Sequence, residues 1–265
     1  MTDTVTNLGQ IGIQPGAAAS KTVAARPVRL LQQYFYFFMS LLIAVIVVYG
    51  FSHTIDERLI HAAVPRPFIL YLHAAIFFGW VLFFIFQSLL VRAHKVRLHR
   101  QIGWFGVALG VAISVLGIST AITMTRFQFF RLHAVEDAVT DLLGPFLDMT
   151  SFTIPFALAI YWRKKPEFHR RLLLVATCAL TSAAFSRMPL QMLPALPNML
   201  IFIWIYGGVD ILIFLGVVRD LIVDGRIHRV YLYVLPALLA AQAVVICMYQ
   251  YDWHLCVRIA RAVVG

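Results

Sequence analysis

Long apolar stretches separated by short polar connections run along nearly the whole chain. Crossing about 30 Å of hydrocarbon takes about 20 apolar residues at the helical rise. Seven stretches approach or reach that length: 34–51, 68–91, 102–124, 144–162, 172–191, 199–218 and 229–249. They predict an all-α, polytopic transmembrane bundle of seven spans occupying residues 28–250, one helix followed by three hairpins. Arg187 and Asp210 interrupt the fifth and sixth stretches. Residues 1–27 are rich in Thr, Gly, Ala and Ser and contain no apolar run, which predicts a disordered tail rather than a signal peptide. For residues 251–265, with Arg258 and Arg261, a short amphipathic surface helix and an unstructured end both fit.

The polar connections fix an orientation. Fifteen Lys and Arg residues fall on the side of the N-terminus and of the connections after the second, fourth and sixth stretches, against six on the other side. Short cytoplasmic loops concentrate bases, so the N-terminus is expected in the cytoplasm and the C-terminus outside. The opposite loop, from Arg126 to Asp141, is acidic on balance; within it His133, Asp137 and Asp141 fall on one helical face.

Composition agrees with the pattern: 61% of residues are hydrophobic, 13% are charged, and mean hydropathy is +0.84. A net charge of +10 in a soluble chain would suggest nucleic acid. Here the bases sit between apolar spans, and topology accounts for them without a polyanion. Cys178, Cys247 and Cys256 have no metal-type spacing and suggest no disulfide framework.

Small residues at Gly103, Gly106, Gly110, Ser114, Gly117 and Ala121 recur every three or four positions in the third stretch, a ridge that lets neighbouring backbones approach. This places the third span centrally. Pro145, Pro155, Pro189 and Pro236 are expected to loosen or kink their spans.

Ionisable residues inside spans are costly and are functional candidates by default. Four spans each place one in the outer half: His73, Asp148, Arg187 and Asp210. Trp80 and Gln87 share a helical face with His73, Ser151 lies on the stripe of Asp148, and Tyr206 on that of Asp210, so these four are the secondary polar lining. One reading is a buried ion network that fixes helix register; the other is a cavity that binds a metal, a proton or a small ligand. A metal ion or haem is therefore the cofactor candidate. No two of His73, Asp148 and Asp210 stand at the tight i, i+3 or i, i+4 spacing that makes metal motifs specific. A haem needs two imidazoles at matched depth, for which His99 with His169, or His73 with His61 or His133, are the available pairs.

Three connections carry a His-Arg pair at the foot of the next span: His99-Arg100, His169-Arg170-Arg171 and His228-Arg229. Backbone amides and bases at a helix start suit an anionic lipid headgroup. The same residues also suit plain interfacial anchoring.

The runs Leu72-His73-Ala74, Leu98-His99-Arg100-Gln101-Ile102-Gly103 and Phe168-His169-Arg170-Arg171-Leu172 resemble a group of uncharacterised bacterial multi-pass membrane proteins, over about residues 70–230. Those proteins show Gly where Ala74 stands and Arg where Gln101 stands. The resemblance implies a helical bundle in the bacterial inner membrane and no particular activity. A fainter similarity, to factors that assemble terminal oxidases, rests on the helix starts alone. The seven-span zinc hydrolases are set apart by their paired histidines one turn apart, which this chain lacks. Three functions follow as expectations: a membrane-embedded metal-, haem- or ligand-binding protein, a proton-coupled transporter or channel, and an accessory subunit of a larger membrane complex.

Overall fold

The computed structural model describes residues 26–133, 135–188, 198–251 and 253–264, and every regular element among them is helical. The expected disordered tail lies outside the described residues up to residue 25. Among the described residues nine α-helices follow in order: α1 (Arg26–Ser52), α2 (Phe68–Arg92), α3 (Val96–Phe127), α4 (Val135–Tyr161), α5 (Pro166–Ala179), α6 (Ser182–Phe185), α7 (Asn198–Asp224), α8 (Arg229–Tyr251) and α9 (Trp253–Val264). Six segments of the described residues are long and apolar enough to cross a membrane: Val28–Ser52, Phe68–Arg92, Val96–Leu132, Leu142–Tyr161, Leu200–Asp224 and Arg229–Tyr251. The bundle turns large apolar side chains outward, among them Val45, Phe78, Val115, Ile154 and Ile211. In water so much exposed apolar surface would drive association. The protein is a multi-pass membrane protein.

The fifth apolar stretch takes another form. Its described part is the 14-residue α5, a turn at Leu180 and Thr181, and the four-residue α6; its end, with Pro189 and Gln191, lies outside the described residues. A 14-residue helix is about 21 Å long, short of the hydrocarbon thickness. Most of α5 is buried, including Leu172, Leu174, Val175, Ala176 and Cys178, so protein rather than lipid surrounds it. The Thr181 and Ser182 hydroxyls donate to the Cys178 and Ala179 carbonyls (2.6 and 3.1 Å). The Cys178 carbonyl also accepts the Thr181 backbone amide at 3.0 Å, so backbone and hydroxyls together satisfy the last carbonyls of the helix.

The small-residue ridge acts as expected in the middle of α3. A Cβ on Gly106 would run into the Phe83 ring of α2, and one on Gly110 or Gly117 into Phe156 or Met149 of α4. Ser114 accepts a 2.9 Å bond from Thr153 of α4. Gly103 has open space around it, so the ridge engages only beyond that point. A second close approach lies at Gly50, where an added Cβ would strike the Ala184 backbone of α6.

The expected loop from Arg126 to Asp141 is helical instead. α3 continues into a π-helical turn at Gln128–Leu132, His133 takes a left-handed backbone (φ 53°), and α4 starts at Val135. Pro145 and Pro155 both lie inside the continuous α4, and Pro236 inside α8. Residues 253–264 form the helix α9, which buries Cys256 and Ala260 against Leu142 and sets Arg261 over the Phe129 ring at 6.0 Å.

Candidate functional site

The connections after α2, α4 and α7 gather at one end of the bundle, called here the basic end. Three ring and cation contacts show it: His99 lies 6.4 Å from His169, Phe168 lies 4.7 Å from His228, and Arg163 sits over Trp104. The opposite end is the far end.

At the far end, Arg187 links two of the expected residues. It lies close enough to His73 and to Asp148 to act on both electrostatically. Its Nη1 donates to the Ala183 carbonyl at 2.5 Å, and its guanidinium covers the Phe51 ring at 4.6 Å. His73 stacks on Phe77 at 4.0 Å, has one nitrogen in reach of the Leu116 carbonyl, and buries Nδ1 with no hydrogen-bond partner. The Ser182 hydroxyl is within hydrogen-bond reach of the Asp148 carboxylate. Asp210 stands apart from Arg187 and pairs with α8, where Gln242 Nε2 donates to Asp210 Oδ1 at 3.1 Å.

Beside Asp148 lies a void of about 10 Å³, lined also by Ser151, Tyr206 and Gln242 with Ala179, Val209 and Leu238, and Gln242 ties this lining to Asp210. That is room for about one water molecule, with the several polar partners a buried water requires. Pro155 adds an acceptor, because it has no N–H to offer the Ser151 carbonyl one turn earlier. Ser151 and Tyr206 thus share this lining with Asp148. Trp80 and Gln87 face other surroundings: Trp80 Nε1 donates to Thr177 Oγ1 at 3.3 Å and its ring packs on Phe152 and Phe156. Gln87 is buried with neither side-chain polar atom partnered. Among the described residues no three His, Cys, Asp or Glu side chains converge as a metal-binding group.

The basic end holds a centre that span-by-span reading missed. Arg171, Arg219 and Asp220 are 1%, 1% and 0% exposed. Arg171 grips Asp220 with both edges of its fork, Nε to Oδ2 at 2.7 Å and Nη2 to Oδ1 at 2.8 Å, and reaches Asp224 (2.8 Å) and Glu167 (2.5 Å) as well. Arg219 Nη1 donates to Asp220 and Asp224 at 2.9 and 2.7 Å. Arg170 adds a 2.5 Å pair with Glu167. Three cations thus face three carboxylates, and α5 is riveted to α7. Burial opposes the charge on Glu167, but the bonds from Arg171 and Arg170 outweigh it and hold the carboxyl below its usual range. Arg170 and Arg171 were expected to serve lipid headgroups or anchoring; their partners are carboxylates of this chain. The legible signal was three acids, Glu167, Asp220 and Asp224, among the bases of one side.

Of the histidines at the basic end, His99, His169 and His228 divide in their bonding. His228 accepts a 3.2 Å bond at Nδ1 from the Val230 amide and so caps α8; burial first, and Arg171 second, push its pKa down. His169 donates from Nδ1 to the Ala159 carbonyl at 2.9 Å, and burial lowers its pKa too. His99 turns one ring nitrogen to the Gln87 backbone carbonyl and buries Nδ1 without a partner. Arg100 is exposed, whereas His99 and His169 are half-buried.

No family model matches the chain, and neither a curated protein nor a solved structure matches it.

Proposed function

We propose that this is a proton-handling membrane protein whose working site is the far-end void beside Asp148, linked to Asp210 through Gln242. The observation that carries the reading is a space the size of one water, lined by a carboxylate, a serine, a tyrosine and a glutamine that is itself bonded to a second carboxylate. A water so placed meets Asp148, and Gln242 connects it to Asp210, with Tyr206 and Ser151 as hydroxyl relays. Arg187, acting on Asp148 and His73 together, is the fixed counter-charge. The void is too small for an organic ligand or a haem, which favours proton coupling over the ligand-binding expectation at this site.

The same proposal takes seven crossings, with the α5–α6 unit as the broken fifth, the N-terminus in the cytoplasm and a bacterial inner membrane as the setting. The fifteen-to-six distribution of bases supports that orientation. A broken helix beside polar residues near the bilayer interior is also the pattern of coupling sites in transporters.

The test is collapse of an imposed pH gradient in liposomes containing the purified protein and an internal pH dye. Asp148→Asn and Asp210→Asn should each slow the protein-dependent flux by about a hundredfold, the lower end of what a positioned proton-transfer group contributes. Flux indifferent to both substitutions, or equal to that of protein-free liposomes, overturns the reading.

A further inference from the structure

The far-end proposal leaves unused the two imidazoles that meet at the other end. His99 opens α3 and His169 opens α5; their rings stand 6.4 Å apart, centre to centre, and 78° from coplanar. His169 is oriented by the Ala159 carbonyl of α4, and His99 has a ring nitrogen in reach of the Gln87 carbonyl of α2. A carbonyl only accepts, so the nitrogen facing it carries the proton in each ring. The remaining nitrogen of each neutral ring, His99 Nδ1 and His169 Nε2, is then a lone pair. His99 Nδ1 is buried and unpartnered, and so are both polar atoms of the Gln87 side chain in the same layer. Buried polar atoms without partners are uncommon and mark places where an ion or water belongs.

The spacing selects among occupants. Two imidazoles sharing one proton directly would need ring centres about 5 Å apart, given a nitrogen–nitrogen hydrogen bond of about 2.8 Å. A metal about 2.0–2.1 Å from each nitrogen lies about 3.2 Å from each ring centre. Two rings on opposite sides of one ion are then about 6.4 Å apart, which is the separation found. That arrangement is two-coordinate and near-linear. Of the first-row ions that imidazole suits, monovalent copper accepts it readily, being a closed-shell ion with no need of further ligands. Orientation of a metal-binding histidine by a carbonyl on its other nitrogen is also the usual supporting arrangement.

We propose that His99 and His169 form a two-imidazole site for a cuprous ion at the basic end, separate from the proton site and independent of it. The other neighbours leave it alone. His228 spends its Nδ1 on the Val230 amide, and Arg171 and Arg219 are consumed by Asp220, Asp224 and Glu167.

The probe is cuprous ion supplied anaerobically as its bicinchoninate complex to purified full-length protein in detergent. The wild type should withdraw about one copper per chain, read as loss of the complex's visible colour. His99→Gln, which keeps an amide to meet the Gln87 carbonyl, and His169→Gln should each lose that withdrawal, while His228→Asn and Asp148→Asn retain it. Copper K-edge absorption of the loaded wild type should show two nitrogen neighbours with imidazole outer-shell scattering. No withdrawal by the wild type overturns the proposal, as does withdrawal that survives either glutamine substitution, or a spectrum without imidazole scattering. A glutamine variant that fails to fold leaves the absorption spectrum as the deciding measurement.

Discussion

Asp220→Asn is the sharpest probe of the centre at the basic end. The native carboxylate accepts three bonds, two from Arg171 and one from Arg219, at 2.7–2.9 Å, with no exposure to solvent. Asparagine keeps the volume but turns an NH₂ group toward guanidinium donors, and it shifts the six-charge cluster from neutral to one excess cation. Charge-assisted hydrogen bonds contribute about 1.5–3 kcal/mol each. Removing one partner of a buried pair costs about 3–5 kcal/mol, because the other charge is left uncompensated. Arg171 and Arg219 keep Asp224 and Glu167, so the expected loss is at the lower end of that range, about 3 kcal/mol. The assay is unfolding by SDS in mixed micelles, followed by circular dichroism. The double variant Asp220→Leu with Arg171→Met should lose less than the sum of its two single variants, by about 1–3 kcal/mol, since both members of the pair then disappear together. A cost below about 1 kcal/mol for Asp220→Asn, or strict additivity in the cycle, would refute the claim that the cluster rivets α5 to α7.

The same unfolding measurement checks two further expectations. Gly50→Ala should cost about 1–3 kcal/mol, because the atom in its way is the Ala184 backbone and not a movable side chain; Gly103→Ala, with nothing nearby, should be neutral or gain up to about 1 kcal/mol from helix propensity. Acidification should destabilise in two stages. The pKa of His228 is lowered in the folded state, so its contribution is present above its ordinary value of 6.5 and is lost as pH falls below it, when protonation removes the lone pair that accepts from Val230. Glu167 is held below its ordinary 4.5, so its contribution persists to that pH and disappears beneath it. His228→Asn, which can still cap α8, should shrink the first stage to the share of the other basic-end imidazoles, whose pKa burial also lowers, and leave the second; a first stage unchanged in that variant would contradict the assignment.

Hydrophobic run length located the six long spans and the small-residue ridge at Gly106, Gly110 and Gly117, because both signals are local and periodic. The connections hid more. Arg171 and Arg219 counted as topology-setting bases, and nothing local reveals that Asp220, 49 positions from Arg171, neutralises the first of them. Run length also made the fifth stretch look like its neighbours; that α5 stops at Ala179 depends on hydroxyls at Thr181 and Ser182 turning back onto it. At the far end, depth groups His73, Asp148, Arg187 and Asp210; in the structure Arg187 acts on His73 and Asp148, and Asp210 bonds to Gln242. Gln242 went unnoticed because a neutral amide in a span carries no charge to flag it, yet it supplies the partner of Asp210.

The riveted pair has a consequence for how the chain is made. α5 emerges from the ribosome with Arg170 and Arg171 on a helix too short to cross the bilayer by itself, and a lone arginine in hydrocarbon is strongly disfavoured. Asp220 and Asp224 follow some fifty residues later. Until α7 is delivered, Glu167 is the one acid on α5 to set against Arg170 and Arg171, which leaves an excess cation, so α5 waits at the membrane surface and enters the bundle from the side once Asp220 and Asp224 arrive. Insertion of this protein is therefore non-sequential, and a nascent chain truncated before α7 should leave residues 166–179 accessible to a water-soluble protease or label.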